Sequence, residues 1–472
     1  MAEARPSVDL EAYCTRYAGR ACTIRALFVA SKKDPSTERH ALSIAAADLR
    51  ANTADTALYT EVVSRLNAAC AAYASQHMMD VQGGTANMAA RQTSRDAHPL
   101  SSEAIVPQEF DEQWVKETDT RSRAQLEKLE AELNGYKTNQ IKESIRMGHN
   151  DLGDFFVRRG LLELALRNYI KTRDYCVTSK HIVQMCLNVI RVAMEMREFS
   201  VVENYVQRAE QAPDVLNDPI LVVKLSCCAG LASLAKGNYD RAAFQFASCS
   251  LGPNEEHTEG LSESLSELVA LDDVALYGGL TALATFSREE LDSKVIQPTA
   301  PFRGFLEIYP EMREIINDFH NSRYSSALAN LEGMLPDLKM DMFLDKHVQK
   351  LCAMIRAKAL LQYVTPYTVV DLNVMASAFH THVTGLSAEL ENLIDENQMA
   401  GRIDVNCAIL HRKSINSRAA MLNQALMHVQ DCFIDLETAL LRMHMNRANL
   451  EIKGHSARQD GMNGDERELA IE

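Results

Sequence analysis

The stretch "FHTHVTGLSAELENLID", residues 379–395, carries the pair His380-Thr381-His382, a spacing that suits zinc. Two imidazoles placed this way can fill two positions of a tetrahedral ion. A hydrolase built on them also needs further ligands and a carboxylate to activate the metal-bound water. The positions eight and eleven residues after His382, where one such site places a Ser and an Asp, are Leu390 and Leu393 here, and the residue after His382 is Val383. A leucine side chain has no lone pair to offer a metal. His380 and His382 are therefore expected as polar residues in a connection between two helices. Phosphate-binding Gly-x-x-x-x-Gly-Lys, Gly-x-Gly-x-x-Gly, His-Glu-x-x-His and Gly-x-Ser-x-Gly are all missing from the sequence. The reading is that the chain is not an enzyme, with no catalytic residue, metal ligand or cofactor.

The elements that would position any site are helices. A chain of 472 residues with average usage would hold roughly 33 Gly and 24 Pro, and this one holds 20 and 12. The residues that interrupt helices are scarce. The net charge of −15 argues against a general nucleic-acid or anionic-membrane binder, which needs a basic footprint. No run of 18 apolar residues occurs, and the first 20 residues lack the apolar core of a signal peptide, so a soluble intracellular chain is expected. The eleven cysteines include no Cys-x-x-Cys pair, which points to reduced and mostly buried thiols. Residues 80–108 and 454–472 lack periodicity and read as loop or disordered tail.

Between those stretches a pattern recurs with a period of roughly 40 residues. Gly153, Gly160, Ala165 and Tyr169 return at identical spacing as Gly230, Gly237, Ala242 and Phe246, with weaker copies at Ile190, Arg197, Val202, Val206 and at Ile315, Ser322, Ala327, Leu331. Each set reads as a small or apolar contact on one helix, a turn residue, a small residue on the next helix, and a larger apolar wedge one turn later. Phe199, Tyr239 and Tyr324 share a place just after the turn. Such units need neighbours to bury their apolar faces, which makes a degenerate tetratricopeptide-like solenoid.

Residues 366–412 change character. "PYTVVDLNVMASAF" reads as a Pro-initiated helix with Val370, Val374 and Phe379 near one face, "TGLSAELENLIDEN" as a second helix with Thr384 as N-cap, and "QMAGRIDVNCAILHR" as two short strands, together a winged helix. It holds Arg402 and Arg412 against Asp371, Glu389, Glu391, Asp395, Glu396 and Asp404, so phosphate contact is disfavoured and protein contact expected. Beyond it, Ile415, Ala419, Leu422, Leu426, Val429, Phe433, Leu436, Leu440 and Met443 alternate steps of four and three. That heptad seam predicts a helix over 414–450 that projects into a bundle with other chains. Against the acidic average, Arg158, Arg159, Arg167, Lys171 and Arg173 form a basic group, a candidate docking surface for an acidic partner.

Solenoid, acidic winged helix and terminal bundle helix in this order resemble the PCI family, shared by the proteasome lid, the COP-9 signalosome and a translation initiation factor complex. "LEKLEAELNGYKTNQIKESIRMGHNDLGDFFVRRG" at 126–160, "ALRNYIKTRDYCVTSKHIVQMCLNVIRVAMEMREF" at 165–199, "EAYCTRYAGRACTIRALFVA" at 11–30, "FLEIYPEMREIINDFHNSRYSSALANLE" and "GRIDVNCAILHRK" look like the signalosome branch rather than its proteasome-lid counterpart. The resemblance implies a mainly α fold. An N-terminal helical segment would span 1–115 with a loop near 80–108, and right-handed TPR-like repeats 116–300. A PCI domain of helical repeats plus winged helix would span 301–412, a bundle helix 413–453 and an acidic tail 454–472. It also implies a non-catalytic scaffold in nucleus and cytoplasm, with other PCI subunits and MPN-type subunits as partners. A separate MPN metalloprotease would then remove Nedd8 from cullin–RING ligases, which meet this chain through the complex. Winged helices of neighbouring subunits would meet along the edge at Arg402, Ile403, Asp404 and Val405. The alternatives are a lid subunit, or an initiation-factor-type subunit associated with RNA.

Overall fold

The structure, a computed structural model, describes residues 10–32, 35–82, 110–215, 218–252, 255–412, 417–448 and 450. The expected loop at 83–108 and the tail at 454–472 lie outside them, and residues 80–82 belong to the helix Thr56–Gln82.

Helical hairpins follow one another as the repeat spacing requires. Lys142–Arg158 pairs with Leu162–Lys171, Ser179–Glu195 with Phe199–Glu210, Pro219–Ala235 with Tyr239–Ala247, and Pro310–His320 with Tyr324–Met340. Each hairpin turns on a left-handed residue at the predicted position: Gly160 at φ +74°, Arg197 at +59°, Gly237 at +80° and Ser322 at +62°. The four turns close with the same six-to-one bond, from the N–H of Leu161, Glu198, Asn238 and Arg323 to the carbonyl of Phe156, Ala193, Ser233 and Asp318, at 2.8–2.9 Å. This is the Schellman closure of a helix end. It explains why the weak copies keep the architecture without glycine, since Arg and Ser accept the left-handed geometry at a cost of order 1 kcal/mol.

The wedge residues Tyr169, Phe246, Val206 and Leu331 are buried, as are Ala165, Ala242, Val202 and Ala327. Gly153 and Gly230 allow close approaches, because a Cβ added to Gly153 would stand against the Tyr169 ring and one added to Gly230 would stand 2.7 Å from the Phe246 ring. One continuous core runs from Val157 in the first hairpin through Leu410 in the winged helix.

The N-terminal segment lies along this array. Its helices Arg20–Ala30, Pro35–Asn52 and Thr56–Gln82 form their own apolar cluster, closed by Ala270 and Met340 of the solenoid. Polar ties fix it at both ends. Near the first repeat, Arg20 binds Asp55 at 3.2 Å and Glu195 at 3.0 Å, while the Ala54 N–H donates to the Arg158 carbonyl at 3.1 Å. Toward the last repeat, Arg25 is enclosed, with 1 % of its side chain exposed, and faces Asp273 at 3.4 Å and Asp341 at 3.2 Å. Tyr17 donates to Asp273 at 2.5 Å, Tyr277 donates to Asp341 at 2.6 Å, and the Arg25 guanidinium lies 4.0 Å above the Tyr17 ring.

The winged helix departs from the sequence reading in three places. Residues Val369–Asp371 form a strand, not the start of a Pro366-led helix, and the helix is only Leu372–Ala378, capped by Asp371 onto the Asn373 N–H. Two adjacent β-branched residues suit an edge strand better than a first helical turn. Val374 consequently points to solvent while Val370 and Phe379 are buried. The second helix, Val383–Asp395, begins with His382 in the cap position, so Thr384 lies inside its first turn. The sheet has three strands, β1 (Val369–Asp371), β2 (Gly401–Asp404) and β3 (Ile409–Arg412), antiparallel in the order β1-β3-β2. Phe379 stacks on Tyr324 at 5.9 Å and meets Tyr363 edge-on at 5.5 Å, which seats the module on the last hairpin.

Two substitutions test this account. Gly153→Ala should lower stability by about 1–3 kcal/mol through overpacking against the Tyr169 ring, read by urea unfolding; an unchanged midpoint removes the close-approach argument. Arg25→Met should cost about 3–5 kcal/mol by stranding two buried carboxyls. Burial already pushes Asp273 up to about 6 against the pull of Arg25. Without the guanidinium that value rises further, so the folded state holds its proton more tightly than the unfolded chain, and stability falls as pH rises. The Arg25→Met deficit should be smaller at pH 5 than at pH 8, and equal deficits at both would count against a carboxylate origin.

Candidate assembly surfaces

His380 and His382 occupy two structural positions of a helix–turn–helix. His380 is the left-handed residue at φ +50°, and the Thr381 N–H closes the preceding helix onto the Ala376 carbonyl at 3.0 Å. His382 is the extended cap residue at φ −80°, ψ 145°. Their spacing is thus that of one helix end and the next helix start. Both are exposed, whereas Leu390 and Leu393 are buried in the module's core. Among the described residues no group of three His, Cys, Asp or Glu side chains is placed to hold a metal ion.

A groove of about 600 Å³ separates the helix Val348–Val364 from Val383–Asp395. Ala353, Met354 and Leu361 line it, Arg356 pairs with Glu389 at 2.9 Å, and no His, Cys or Ser is among its lining residues. Lys358 donates to the Leu283 carbonyl at 2.6 Å, and burial pushes its ammonium down to about 8. That lysine closes the end of the helix Leu271–Thr285.

A long apolar surface is left open on the last helix, Ser417–Arg447, of about 46 Å. Leu422, Leu426, Val429, Phe433, Leu436, Leu440 and Met443 are 51–68 % exposed. Met421, Met427, Ile434 and Leu441, off the seam, are also exposed, so the apolar band is wider than a two-stranded heptad stripe. Ile415 lies outside the described residues.

At the wing, β3 is paired on both sides, while β1 and β2 are edges. Arg402 is exposed, Ile403 and Asp404 are half-buried, and Val405 is 77 % exposed. Asp404 accepts the N–H groups of Asn406 and Cys407 at 3.0 and 3.3 Å, which shapes the β2–β3 turn and holds its carboxyl below the usual range. The second helix carries Glu389, Glu391 and Asp395 and no base.

The basic group divides. Arg159 is half-buried and engaged inside the chain, with Asp119 at 2.8 Å and the Ala54 carbonyl at 3.0 Å. Arg158, Arg167, Lys171 and Arg173 remain exposed. Sequence reasoning missed the cluster around Arg25, Asp273 and Asp341, whose members have no regular spacing along the chain.

Comparison with known proteins agrees with this anatomy. Residues 111–294 match the family described as 26S proteasome subunit RPN7, and residues 331–413 match the PCI domain. The chain is 39 % identical to COP9 signalosome complex subunit 1 of Arabidopsis thaliana over 93 % of its own length and 90 % of that protein's. It is 35 % identical to COP9 signalosome complex subunit 1b of Drosophila melanogaster over 97 % and 89 %. Against 26S proteasome non-ATPase regulatory subunit 6 of Oryza sativa the identity is 23 %, over 66 % of the chain and 77 % of that protein. With helical hairpins leading into a winged helix and those identities across nearly its whole length, the chain belongs to the COP9 signalosome subunit 1 family of PCI-domain proteins.

Proposed function

We propose that the chain is a non-catalytic scaffold of the signalosome. It supports removal of Nedd8 from cullin–RING ubiquitin ligases by a separate MPN-type metalloprotease subunit, in nucleus and cytoplasm. The observation that carries this reading is the exposed apolar band of Ser417–Arg447. Fully burying seven large apolar side chains is worth about 10–20 kcal/mol before association costs, so a bundle of several helices is its natural environment. The free edge at β2 beside exposed Val405 supports pairing of winged helices by strand addition or side-chain contact. The acidic second helix favours protein partners over RNA, against an initiation-factor role. The match to a proteasome-lid family keeps that complex as the second reading, and the higher identity to signalosome subunits ranks it below.

Changing Leu426, Phe433 and Leu436 to Ser in the tagged full chain should alter its own stability by less than about 0.5 kcal/mol, since all three are exposed. Co-purification of the other subunits from native cells should be lost. Retained co-purification would assign the bundle role elsewhere, and recovery of proteasome-lid proteins by the unaltered chain would reassign the complex.

A further inference from the structure

The first repeat inverts the charge of the molecule. Residues 137–180 hold nine Lys or Arg against five Asp or Glu, in a chain of net charge −15. Asp119, outside the segment, takes up one cation of this excess by binding Arg159 at 2.8 Å, and inside it Arg146 pairs with Glu143 at 2.5 Å. The rest faces solvent in an ordered array. On the helix Leu162–Lys171, Ala165 and Tyr169 are turned into the core. Leu164, Arg167 and Lys171, at steps of three and four, form a strip on the opposite side. Arg167 reaches Glu163 only at 3.7 Å, with both side chains more than two-thirds exposed, so that pair contributes little.

The positive field extends across the hairpin. After burial, Lys137 and Lys171 are the charges that push the His149 imidazole down. Apolar side chains sit among the cations: Leu161 at 48 % and Leu164 at 39 % exposure beside Arg158 and Arg167. A nucleic-acid backbone would use the cations and leave the leucines wet. A protein segment that alternates carboxylates with apolar side chains uses both.

We propose that the strip of Leu161, Leu164, Arg167 and Lys171, with Arg158 at its edge, docks an acidic, apolar-bearing segment of another protein. The site is on the first repeat and uses neither the C-terminal helix nor the wing, so it does not depend on the bundle reading.

The test uses the full chain in its native complex. A photo-cross-linking phenylalanine derivative replaces Glu163, which borders the strip without belonging to it, and a control chain carries it at exposed Glu314. After irradiation, cross-linked peptides are mapped by mass spectrometry. Cross-links from position 163 should gather in one segment of a different protein with net negative charge and apolar residues. Arg167→Glu with Lys171→Glu should cut their yield at least tenfold while the same subunits still co-purify, and Arg167→Lys should preserve it. The proposal fails if cross-links lead to nucleic acid, to a second copy of this chain or to a segment without net negative charge. It fails equally if yield is unchanged in the double variant or does not exceed that at position 314.

Discussion

The Arg25 guanidinium ties the N-terminal segment to the solenoid. It sits in the interior between Asp273, at the start of one solenoid helix, and Asp341, just past the end of another. Taking these ions out of water costs several kcal/mol each, which attraction offsets only when every remaining donor and acceptor is satisfied. Here they are placed to do so. Asp341 also accepts the N–H groups of Phe343 and Leu344 at 2.8 and 3.0 Å, and two tyrosines donate into the cluster. A partly formed version is worse than none, so the N-terminal segment and the solenoid's distal end adopt their relation together. The winged helix, seated through Phe379 on the hairpin that Asp341 closes, inherits that rigidity.

The repeats themselves rest on a backbone constraint. A helix that must reverse within three residues needs a left-handed position, and six-to-one closure then fixes the entry angle of the next helix. The array uses Gly at two of the four turns, Gly160, where the Asp55 carboxyl comes against the glycine, and Gly237, which has open space around it, and Arg197 and Ser322 at the other two. The winged helix reuses the device at His380 and Asn397, closing Thr381 onto Ala376 and Gln398 onto Leu393. His380 thereby takes a turn position, and His tolerates the left-handed region better than most side chains.

What was legible in the sequence was what repeats locally. The four turn residues, their wedges and the heptad seam are spaced by helix geometry, so their positions could be read before any coordinates. β1 was not legible, because a three-residue strand beside Pro366 has no alternation to show and its partner β3 lies about forty residues on. The Arg25 cluster was hidden for the same reason at longer range. Arg25 and Asp341 are 316 residues apart, and nothing near either one announces a buried charge. The basic group was visible as composition, but only the fold separates Arg159, bound internally, from the cations that face outward.

Folding and assembly draw on different parts of the chain. From Leu10 to Leu410 the large apolar side chains go mainly into three buried clusters, and the buried Arg25 and half-buried Lys358 each meet a carboxylate or a carbonyl. Among the described residues, the helix Ser417–Arg447 adds no member to those cores and keeps its large apolar side chains exposed. An isolated helix of this length gains most of its stability from tertiary or quaternary packing of its apolar face. Substitutions on the exposed seam leave the buried platform untouched, while substitutions at the turns, the wedges and Arg25 act on the platform itself. A change in one class can leave the other intact, which is the arrangement expected of a subunit whose shape is its contribution.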